Sequence, residues 1–581
     1  MFAVFDIEAN ALLRELSEIH CLVIRNETGV HVYRKNANED TIEQGIKYLA
    51  THSLIVGHNI QSFDIPAMCK VYKKMTSLVK GIPLYDTIIT SRVAFSNRLE
   101  HSLASWGETF KNNKGDFVGP WNAWSQEMET YCIQDVNLTH QLYIHLLAQN
   151  ISENACKLEH KFAAYLDVQM THGIRFNVSD AVDLKLSLES SISVAEEEIK
   201  KTTQPNVITS LFTPKVNNVS KGYVKGQTIE RRTETPFNPG SRDQVAHFLI
   251  RKYGWSAVEK TEGGKPKVTG DILSKLSYPE AGALANLFDA KKLYAQLYNG
   301  DNGWLKKVRM GRIYGRVNHN GAVTGRCTHS GPNLSQVPRV TSFMGERCRA
   351  LFLADAGHVL VGVDASGLEL RNLAHYLHPL DNGTYTSTIL EGDIHTKNKL
   401  DAGLETRAQA KTFIYAFNYG AGDELLGDIV SPEATQAMKR VIGSDMRRKF
   451  LMNNPAIALL KDKIKFKVQT RGHLVGLDGR KLPVREDYRG LNVLLQAAGA
   501  VAMKKASCIL WQKLEDEGLA GTKVFPVLHI HDEFQMSTHP DVAEHVRLLG
   551  IQSIREAGEF FKYNCPLDGE GKIGKNWSET H

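Results

Sequence analysis

Short apolar segments alternate with amphipathic stretches along the first 145 residues of the chain. AVFDIE (3–8) and SLIVGHN (53–59) have the length and bounded apolar character of buried strands, and the stretches between them have helical spacing. This alternation is typical of an α/β domain. From about residue 152 to residue 200 apolar positions recur among charged ones, which predicts helices.

The pattern changes between residues 203 and 240. Pro, Gly and Asn recur in a basic setting through TQPN, TPKVNN, KGYVKG and FNPGS, which predicts a loop, linker or mobile tip. Helical patterns resume after Ser241. Further along, HVLVGVD (358–364) predicts a strand that leads into a helix, and residues 393–470 predict mostly helix. Residues 524–537 predict two strands that meet at His-Asp-Glu.

Length and composition narrow the class of protein. A chain of 581 residues is too long for one hydrophobic core, and 42% hydrophobic with 23% charged residues is typical of a soluble globular protein. No run of about 18 apolar residues predicts a membrane span, and the N-terminal MFAVFDIEAN lacks the basic lead of a signal peptide. The eight cysteines form no C-x-x-C pair, so we expect reduced thiols in a cytosolic protein.

The positive charge of the chain is concentrated in one segment. Residues 201–270 contain twelve Lys and Arg against five Asp and Glu, an excess greater than the net charge of +6 of the whole chain. Such a segment suits a polyanionic partner such as nucleic acid. A solvated surface would explain the charge equally well.

A first group of acids lies in the N-terminal third. Asp6 and Glu8 are two apart in a predicted strand, so both side chains leave the same face. Two acids on one face repel unless a cation lies between them, and carboxylate oxygens suit Mg²⁺ or Mn²⁺. An exposed strand end would also account for this pair taken alone.

Further residues change this interpretation. His58, Asn59 and Asp64 follow another apolar strand, and Tyr131 and Asp135 are about one helical turn apart, on one face. Together with the first pair, these acids could bind two metal ions about 3.5–4 Å apart, with Tyr131 orienting the attacking water. The order and spacing of the set resemble the DEDDy class of 3′→5′ exonucleases.

A second group of acids lies in the C-terminal half. Asp364 ends the strand HVLVGVD and precedes a helix that contains Glu369, and LHIHDEFQM places three polar residues at a turn: His531, Asp532 and Glu533. An acid at the end of a buried strand is a frequent metal position, although each acid alone could be an ordinary turn residue. Asp364 and Asp532 together predict a second two-metal site, with the backbone carbonyl of Ala365 as a further ligand.

Between these acids, TRAQAKTFIYAFNYGAG predicts a helix with a cationic stripe. Arg407, Lys411 and Tyr415 fall at i, i+4 and i+8. Two cations and an aromatic ring on one stripe can hold a triphosphate and pack against a sugar. A basic solvated face with Tyr415 directed at the core is the alternative. His395, in GDIHTK, is either a further phosphate contact or a structural histidine.

Three of these stretches, DASGLELR, R-x3-K-x3-Y-x3-YG and HDE, resemble motifs A, B and C of the DNA polymerase I family (family A). The likeness is strongest to the replicative polymerases of T-odd bacteriophages, and it extends to TGRCTHSGPNLSQVP (324–338), GLDGRK (476–481), LNVLLQAAGA (491–500) and GKIGKNW (571–577). It covers nearly the whole chain and is weakest over residues 203–236.

The resemblance implies a multidomain α/β and α+β fold, in which a ribonuclease H-like exonuclease domain precedes a right-hand polymerase. The expected divisions are the exonuclease domain at 1–150, the thumb at 151–310 with a shortened basic loop at about 203–236, the first part of the palm at 311–392, the fingers at 393–480 and the second part of the palm at 481–581.

The resemblance also implies a role for each matching residue. Asp364, Ala365 and Asp532 would bind metal beside Glu533, as would Asp6, Glu8, Asp64 and Asp135 beside Tyr131. The incoming nucleotide would be held by His395, Arg407, Lys411, Tyr415 and Glu369, with Glu369 crowding the sugar 2′ position. Contacts to primer–template DNA would come from Arg326, Asn492, Gln496 and His531.

The implied cofactors are two Mg²⁺ ions per active site, with Mn²⁺ as a substitute. The implied partners are primer–template DNA and dNTPs, with a phage helicase–primase or single-stranded-DNA-binding protein, in the cytoplasm of an infected bacterium. The phage relatives capture host thioredoxin with a long thumb insertion, but only 38 residues separate Glu198 from Phe237 here. We therefore do not expect thioredoxin dependence.

We expect template-directed DNA synthesis with 3′→5′ proofreading, in a phage replicative enzyme. The alternatives are a repair polymerase of the same family, an enzyme that only degrades DNA, and a non-catalytic nucleic-acid-binding protein. Two complete carboxylate sets argue against the last, because buried acids without a metal are costly.

Overall fold

The computed structural model describes residues 1–35, 38, 40–203, 206–257, 259–261 and 263–581. All eight cysteines are free thiols, as the sequence predicts. The chain forms an N-terminal α/β unit, a helical segment with a β-hairpin, and a C-terminal half in which helices surround an antiparallel sheet.

The N-terminal unit is built on a five-stranded sheet with the order β3-β2-β1-β4-β5, in which β1 is antiparallel to β2 and parallel to β4. Its strands are β1 (Phe2–Ala9), β2 (Ile19–Asn26), β3 (Gly29–Arg34), β4 (Leu54–Gly57) and β5 (Leu84–Asp86). Its helices are α1 (Ile42–Leu49), α2 (Asp64–Val71), α3 (Thr76–Lys80), α4 (Thr87–Ala94), α5 (Leu103–Phe110) and α6 (Gln126–Leu147). The α/β character and both strands expected here are confirmed.

Both faces of β1 are covered, which explains why its sequence is apolar with two interruptions. On one face Ile7 packs into the core of the unit, and on the other Val4 packs with Cys132 of α6. Asp6 and Glu8 alternate with Ile7, so their side chains are on the same face as Val4, the face that packs against α6. The strand thus directs two carboxylates at a helix.

The next segment is mostly helical, as expected. Its elements are α7 (Glu153–His172), β6 (Ile174–Phe176), α8 (Val178–Thr202), β7 (Asn206–Phe212), β8 (Ile229–Thr235), α9 (Arg242–Tyr253), α10 (Gly270–Leu273), α11 (Ala281–Tyr294) and α12 (Trp304–Lys307). The N-cap of α9 is Ser241, whose hydroxyl accepts a hydrogen bond from the backbone N–H of Gln244.

The loop expected at about 203–236 is instead largely a β-hairpin. Strands β7 and β8 pair antiparallel in continuous register from Asn206↔Thr235 to Phe212↔Ile229. The prediction was wrong because most of the Pro, Gly and Asn residues that suggested a loop lie in the connection between the strands or just outside the hairpin, whereas Val, Ile and Thr within the strands favour strand pairing. Residues 204 and 205 of this range lie outside the described residues.

The C-terminal half begins with β9 (Arg312–Ile313), β10 (Arg316–Asn318), β11 (Thr328–Ser330), α13 (Gly345–Ala350), β12 (Phe352–Leu353), β13 (Val359–Ala365) and α14 (Leu368–Asp381). A helical layer follows, with α15 (Thr384–Glu391), α16 (Ile394–Ala402), α17 (Arg407–Asn418), α18 (Asp423–Asp428), α19 (Gln436–Asn453) and α20 (Pro455–Arg471). The strand at 358–364 and the helical content of 393–470 are confirmed.

The chain then returns to the sheet through β14 (His473–Val475), β15 (Lys481–Pro483), α21 (Gly490–Asp516), β16 (Val524–Ile530), β17 (Glu533–Thr538), α22 (Ala543–Phe560) and β18 (Gly569–Gly574). The central sheet has the order β16-β17-β13-β18, and all its pairs are antiparallel. The two strands predicted to meet at His-Asp-Glu are therefore confirmed.

One helical segment of the C-terminal half is apolar over most of its length. Asp487–Asp516 could cross a membrane by length and mean hydropathy alone, but 72% of its most apolar window is buried inside the protein. Because it carries core residues of the C-terminal half, its apolar character is explained by packing.

A buried ion network joins the helical segment to the C-terminal half. Glu159 of α7 is fully buried, and its carboxylate accepts hydrogen bonds from Lys504 Nζ at 2.5 Å and Arg480 Nη2 at 2.7 Å. His319 Nδ1 lies 2.7 Å from the other oxygen, and Arg480 also binds Asp478. Burial alone would raise the pKa of Glu159, but the charges of Lys504 and Arg480, with a hydrogen bond from His319, lower it well below its ordinary value. The acid is stable in the interior because positive charge surrounds it.

We predict that Glu159→Ala lowers the free energy of unfolding by about 3–5 kcal/mol, because Lys504 and Arg480 would stay buried without their partner. Chemical denaturation measures this loss. Glu153→Ala is the matched control, since Glu153 lies on the same helix in an exposed pair with Lys157 and should cost less than about 1 kcal/mol. Equal losses in the two variants would contradict this account.

Candidate active sites

The N-terminal site forms where β1, α2 and α6 meet. Asp64 is the first residue of α2, and its Oδ1 accepts a hydrogen bond from the backbone N–H of Ile7 at 3.2 Å. Potential ligand atoms of Asp6, Glu8 and Cys132 all lie within 4.8 Å of one another. The predicted acids of β1 are thus brought together with Asp64.

Helix α6 contributes the other two predicted residues. Asp135 is buried on this helix, and Tyr131 lies one turn earlier. Lys114, from the loop before α6, places its Nζ 2.6 Å from Asp135 Oδ2 and 4.8 Å from the centre of the Tyr131 ring. Asp135 Oδ1 is buried without a hydrogen-bond partner among the described residues. Nothing in the sequence indicated Lys114, because it lies in an irregular loop.

Burial and mutual repulsion make these acids hard to ionise. Burial, with the charges of Asp135 and Asp64, raises the pKa of Glu8 to about 8. Burial raises the pKa of Asp64 to about 7 and holds that of Asp6 well above its usual range, with Asp64 and Glu8 adding to the effect on Asp6. The pKa of Asp135 is raised by burial despite the opposing charge of Lys114. One lysine therefore does not compensate four carboxylates.

The C-terminal site lies at one end of the central sheet. Antiparallel pairing sets Asp364 of β13 opposite Glu533 of β17 on one side and Glu570 of β18 on the other. Asp532 is in the tight turn between β16 and β17, and its backbone oxygen accepts a hydrogen bond from the N–H of Ala365 at 3.0 Å. The two acids predicted to bind metal therefore lie side by side, Asp364 on β13 and Asp532 in the turn that leads into β17.

The electrostatics of this site resemble those of the first. Loss of solvent, with the charges of Asp532, Glu533 and Glu570, raises the pKa of Asp364 to about 8. Asp364 is nevertheless reached by solvent at the surface of the sheet end. A cation arriving from solution can therefore reach this uncompensated carboxylate.

Glu533 differs from its neighbours because its carboxylate is already engaged. Trp577 Nε1 and Gln535 Nε2 donate to its Oε1, each at 2.6 Å, and His581 Nε2 lies 2.7 Å from its Oε2. Burial alone would raise the pKa of Glu533, but these contacts, above all the one from His581, lower it. The Glu533 carboxylate is thus bound by residues near the C-terminus, Trp577 and His581, and by Gln535. The sequence had not indicated these partners.

The predicted phosphate-binding residues cluster at the start of α17. Arg407 and Lys411 are exposed, and the Arg407 guanidinium binds Asp393 with Nε 2.8 Å from Oδ2. Burial and the charges of Arg407 and Lys411 lower the pKa of His395, whose Nδ1 has no partner among the described residues. These three residues therefore lie close together, with Asp393 as an unforeseen partner.

Glu369 and Tyr415 lie near Asp532 and near each other. Burial raises the pKa of Glu369 to about 7, with Asp532 adding to the effect and Arg326 opposing it. Burial, followed by the charges of Glu369 and Asp532, raises the pKa of Tyr415. The two residues predicted to contact the sugar are therefore close enough to Asp532 to be affected by its charge.

The remaining predicted residues lie on α21, in the turn beside Asp532, and near both Glu369 and His531 in the case of Arg326. Asn492 and Gln496 are partly exposed and one turn apart on α21, and Asn492 Oδ1 is buried without a partner among the described residues. His531, in the turn beside Asp532, has a left-handed backbone (φ 55°). Its pKa is lowered by burial and then by the charge of Arg326. Arg326 and His531 therefore lie near the acids, and Asn492 and Gln496 offer hydrogen-bonding groups on α21.

Comparison with known proteins agrees with this geometry. A model of DNA polymerase family A matches residues 218–579. The DNA-directed DNA polymerases of Enterobacteria phage T3 and Escherichia phage T7 are each 32% identical to this chain, with 100% of both proteins covered. These alignments run over 713 positions against 581 residues here, so the phage relatives contain segments that this chain lacks.

A solved structure shows the same fold. The POL domain of Pol1 from M. smegmatis, in complex with DNA primer-template and dNTP, superposes with a TM-score of 0.75 at 17% identity, covering 100% of this chain and 95% of that chain. The fold is multidomain, α/β and α+β, with a ribonuclease H-like unit before a right-hand polymerase. From the family match and the full-length alignment with the phage enzymes, we conclude that this chain belongs to DNA polymerase family A.

Proposed function

We propose that this chain extends a primer 3′ end with dNTPs on a DNA template and removes misincorporated nucleotides with a separate 3′→5′ exonuclease site. The observation that carries the proposal is the presence of two carboxylate clusters, on different sheets, that each lack compensating charge. The names of the T3 and T7 relatives, DNA-directed DNA polymerases, support the synthetic part.

The donor sets fit divalent cations. Asp6, Glu8, Asp64 and Asp135 would hold two at the N-terminal site, and the partnerless Asp135 Oδ1 supports this assignment. Asp364, Asp532 and the carbonyl oxygen of Ala365 would hold two at the C-terminal site. Bound Mg²⁺ or Mn²⁺ would lower the pKa of the attacking oxygen and neutralise charge on the phosphate. Cys132 is too soft a ligand for either ion, so we assign it to packing.

The side chains of α17 would bind the incoming nucleotide. Lys411 and Arg407 would neutralise the triphosphate, with Arg407 exchanging Asp393 for a phosphate oxygen, and His395 would donate a further hydrogen bond. Tyr415 would pack against the sugar, while Glu369 would fill the space of a 2′ hydroxyl. At the other site Tyr131 would orient the attacking water.

Primer–template DNA would lie along the C-terminal half. Arg326, Asn492, Gln496 and His531 would reach the minor groove, where hydrogen-bond acceptors are nearly independent of sequence. That property suits an enzyme that copies any template. The basic segment 201–270 would bind duplex phosphates, so binding should weaken with salt.

We propose the division into exonuclease domain (1–150), thumb (151–310), palm (311–392 and 481–581) and fingers (393–480).

We also propose a replicative role in a phage-infected bacterium, alongside a helicase–primase or single-stranded-DNA-binding protein. The hairpin of β7 and β8 occupies the place in the chain where the phage relatives have the long insertion that captures thioredoxin. We therefore propose that DNA synthesis by this chain does not require thioredoxin. A repair polymerase would differ in adding few nucleotides per binding event.

We predict that Asp6→Ala/Glu8→Ala abolishes removal of primer nucleotides by more than about 10³-fold and leaves dNTP incorporation within about twofold, because the two sites are separate. Gel analysis of an end-labelled primer, with and without dNTPs, measures both rates. Glu127→Ala, an exposed acid on α6, is the control and should change neither. A loss of both activities in the double variant would argue for one shared site.

We predict that Glu369→Ala raises incorporation of ribonucleotides relative to deoxynucleotides by at least about tenfold, since removing the carboxylate opens space for a 2′ hydroxyl. Single-nucleotide incorporation kinetics with dCTP and CTP give the ratio. Glu391→Ala, at the exposed end of α15, should keep the wild-type ratio. An unchanged ratio in Glu369→Ala would remove the role of this residue.

We predict that Mn²⁺ binds the N-terminal site more tightly at about pH 8 than at about pH 6, because carboxyls must lose protons before they coordinate a metal. The pKa values of Glu8 (about 8) and Asp64 (about 7) place the change in this interval. Electron paramagnetic resonance of free Mn²⁺ measures affinity, with Asp364→Ala/Asp532→Ala removing the other site. An affinity independent of pH would contradict the assignment.

A further inference from the structure

Helix α20 presents an unusual outer face. Its inner residues, such as Ile464 and Val468, are buried in the core, but Phe466 on the outside is 68% exposed. Lys463 and Lys467 lie beside this ring at helical spacing, and Thr470 and Arg471 continue the same face. A large aromatic ring in water among cations has no role in packing the fold. We call these five residues the α20 face.

The cations of this face are unpaired. Three cations lie on this face, Lys463, Lys467 and Arg471, and Asp462 is the one acid among the residues that line it. Among the residues that the structure describes, no carboxylate lies within 4.0 Å of the side-chain nitrogens of Lys463, Lys467 or Arg471. On neighbouring elements, by contrast, Arg447 binds Asp423 at 2.6 Å, and other basic residues are paired in the same way. The positive charge here is thus available to a partner.

Helix α20 is connected by surface contacts to the end of α17. Helix α17, which carries Tyr415, ends at the half-exposed Tyr419 and Gly420, and the backbone of Gly420 packs closely against Tyr488. Tyr488 is 56% exposed, and its neighbour Asp487 accepts a hydrogen bond from Gln469 of α20 at 2.8 Å. These contacts link the end of α17 to α20, and an aromatic ring is exposed at each step: Tyr419, Tyr488 and Phe466.

We propose that the α20 face binds the single-stranded template ahead of the polymerase site. Lys463, Lys467 and Arg471 neutralise successive phosphates, and Phe466 stacks with an unpaired base. Stacking on a protein ring requires a base that is free of its duplex, so the exposed ring selects single-stranded over double-stranded DNA. An acidic peptide would satisfy the charges but leave the ring without a specific role. This inference rests on the proposed DNA synthesis and adds a template-binding surface to it.

The test compares primer–templates that share one duplex but have template overhangs of about two and about twelve nucleotides. Without divalent cations, so that no nucleotide is removed, the wild-type chain should bind the long overhang about tenfold more tightly. Phe466→Ala should lose that gain and keep the affinity for the short overhang. Lys463→Ala/Lys467→Ala should reduce the slope of log affinity against log salt by about 1.4 on the long overhang only.

Phe560→Ala is the matched control, because Phe560 is 57% exposed on α22 with Lys505 3.6 Å from its ring. It should bind both DNAs as the wild type does. Affinity independent of overhang length in the wild type, or retained gain in Phe466→Ala, would overturn the proposal. Phe466-dependent binding of a fluorescent Glu-rich peptide without overhang dependence would identify a protein-docking surface instead.

Primer extension on the short overhang separates this inference from the function on which it rests. Normal extension there, together with no overhang dependence, would refute the α20 face alone. No extension by the wild type on either substrate would refute the proposed synthesis itself.

Discussion

The arrangement of this chain depends on how it compensates buried negative charge. A carboxylate removed from water is stable only with positive charge or protons close by. At Glu159 the fold supplies Lys504, Arg480 and His319, and the pKa of the acid falls. At Asp6, Glu8 and Asp364 it supplies too little positive charge, and their pKa values rise. The first acid therefore joins parts of the fold, whereas the others keep uncompensated negative charge, for which we propose divalent cations.

Much of the fold could be predicted from periodicity. The apolar run of β13, the strands around His-Asp-Glu and the helices of 393–470 all follow from local pattern, because each element buries a continuous apolar face. The hairpin of β7 and β8 could not be predicted. Its segment is rich in Pro, Gly and Asn, and the local sequence does not show that its two strands pair with each other. The small strands β9 to β12 were also too short to produce a pattern.

The candidate sites were predicted as sets of residues, and their surroundings were not. Asp6 and Glu8 share a strand face and Arg407 and Lys411 a helix face, so spacing alone indicated them. Other contacts come from loops, helix ends and the C-terminal residues. They are the ion pairs of Lys114 with Asp135 and of Asp393 with Arg407, and the contacts of Trp577 and His581 with Glu533. Such contacts depend on tertiary packing, which no local motif encodes.

The central claim is that one chain carries two separate sites with opposing activities. The most direct measurement uses a primer whose mismatched 3′-terminal nucleotide alone is labelled, incubated with template, Mg²⁺ and all four dNTPs. The account predicts that the label appears first as a free nucleotide and that the shortened primer is then extended to full length. Full-length product that retains the label, or continued degradation without extension, would contradict it.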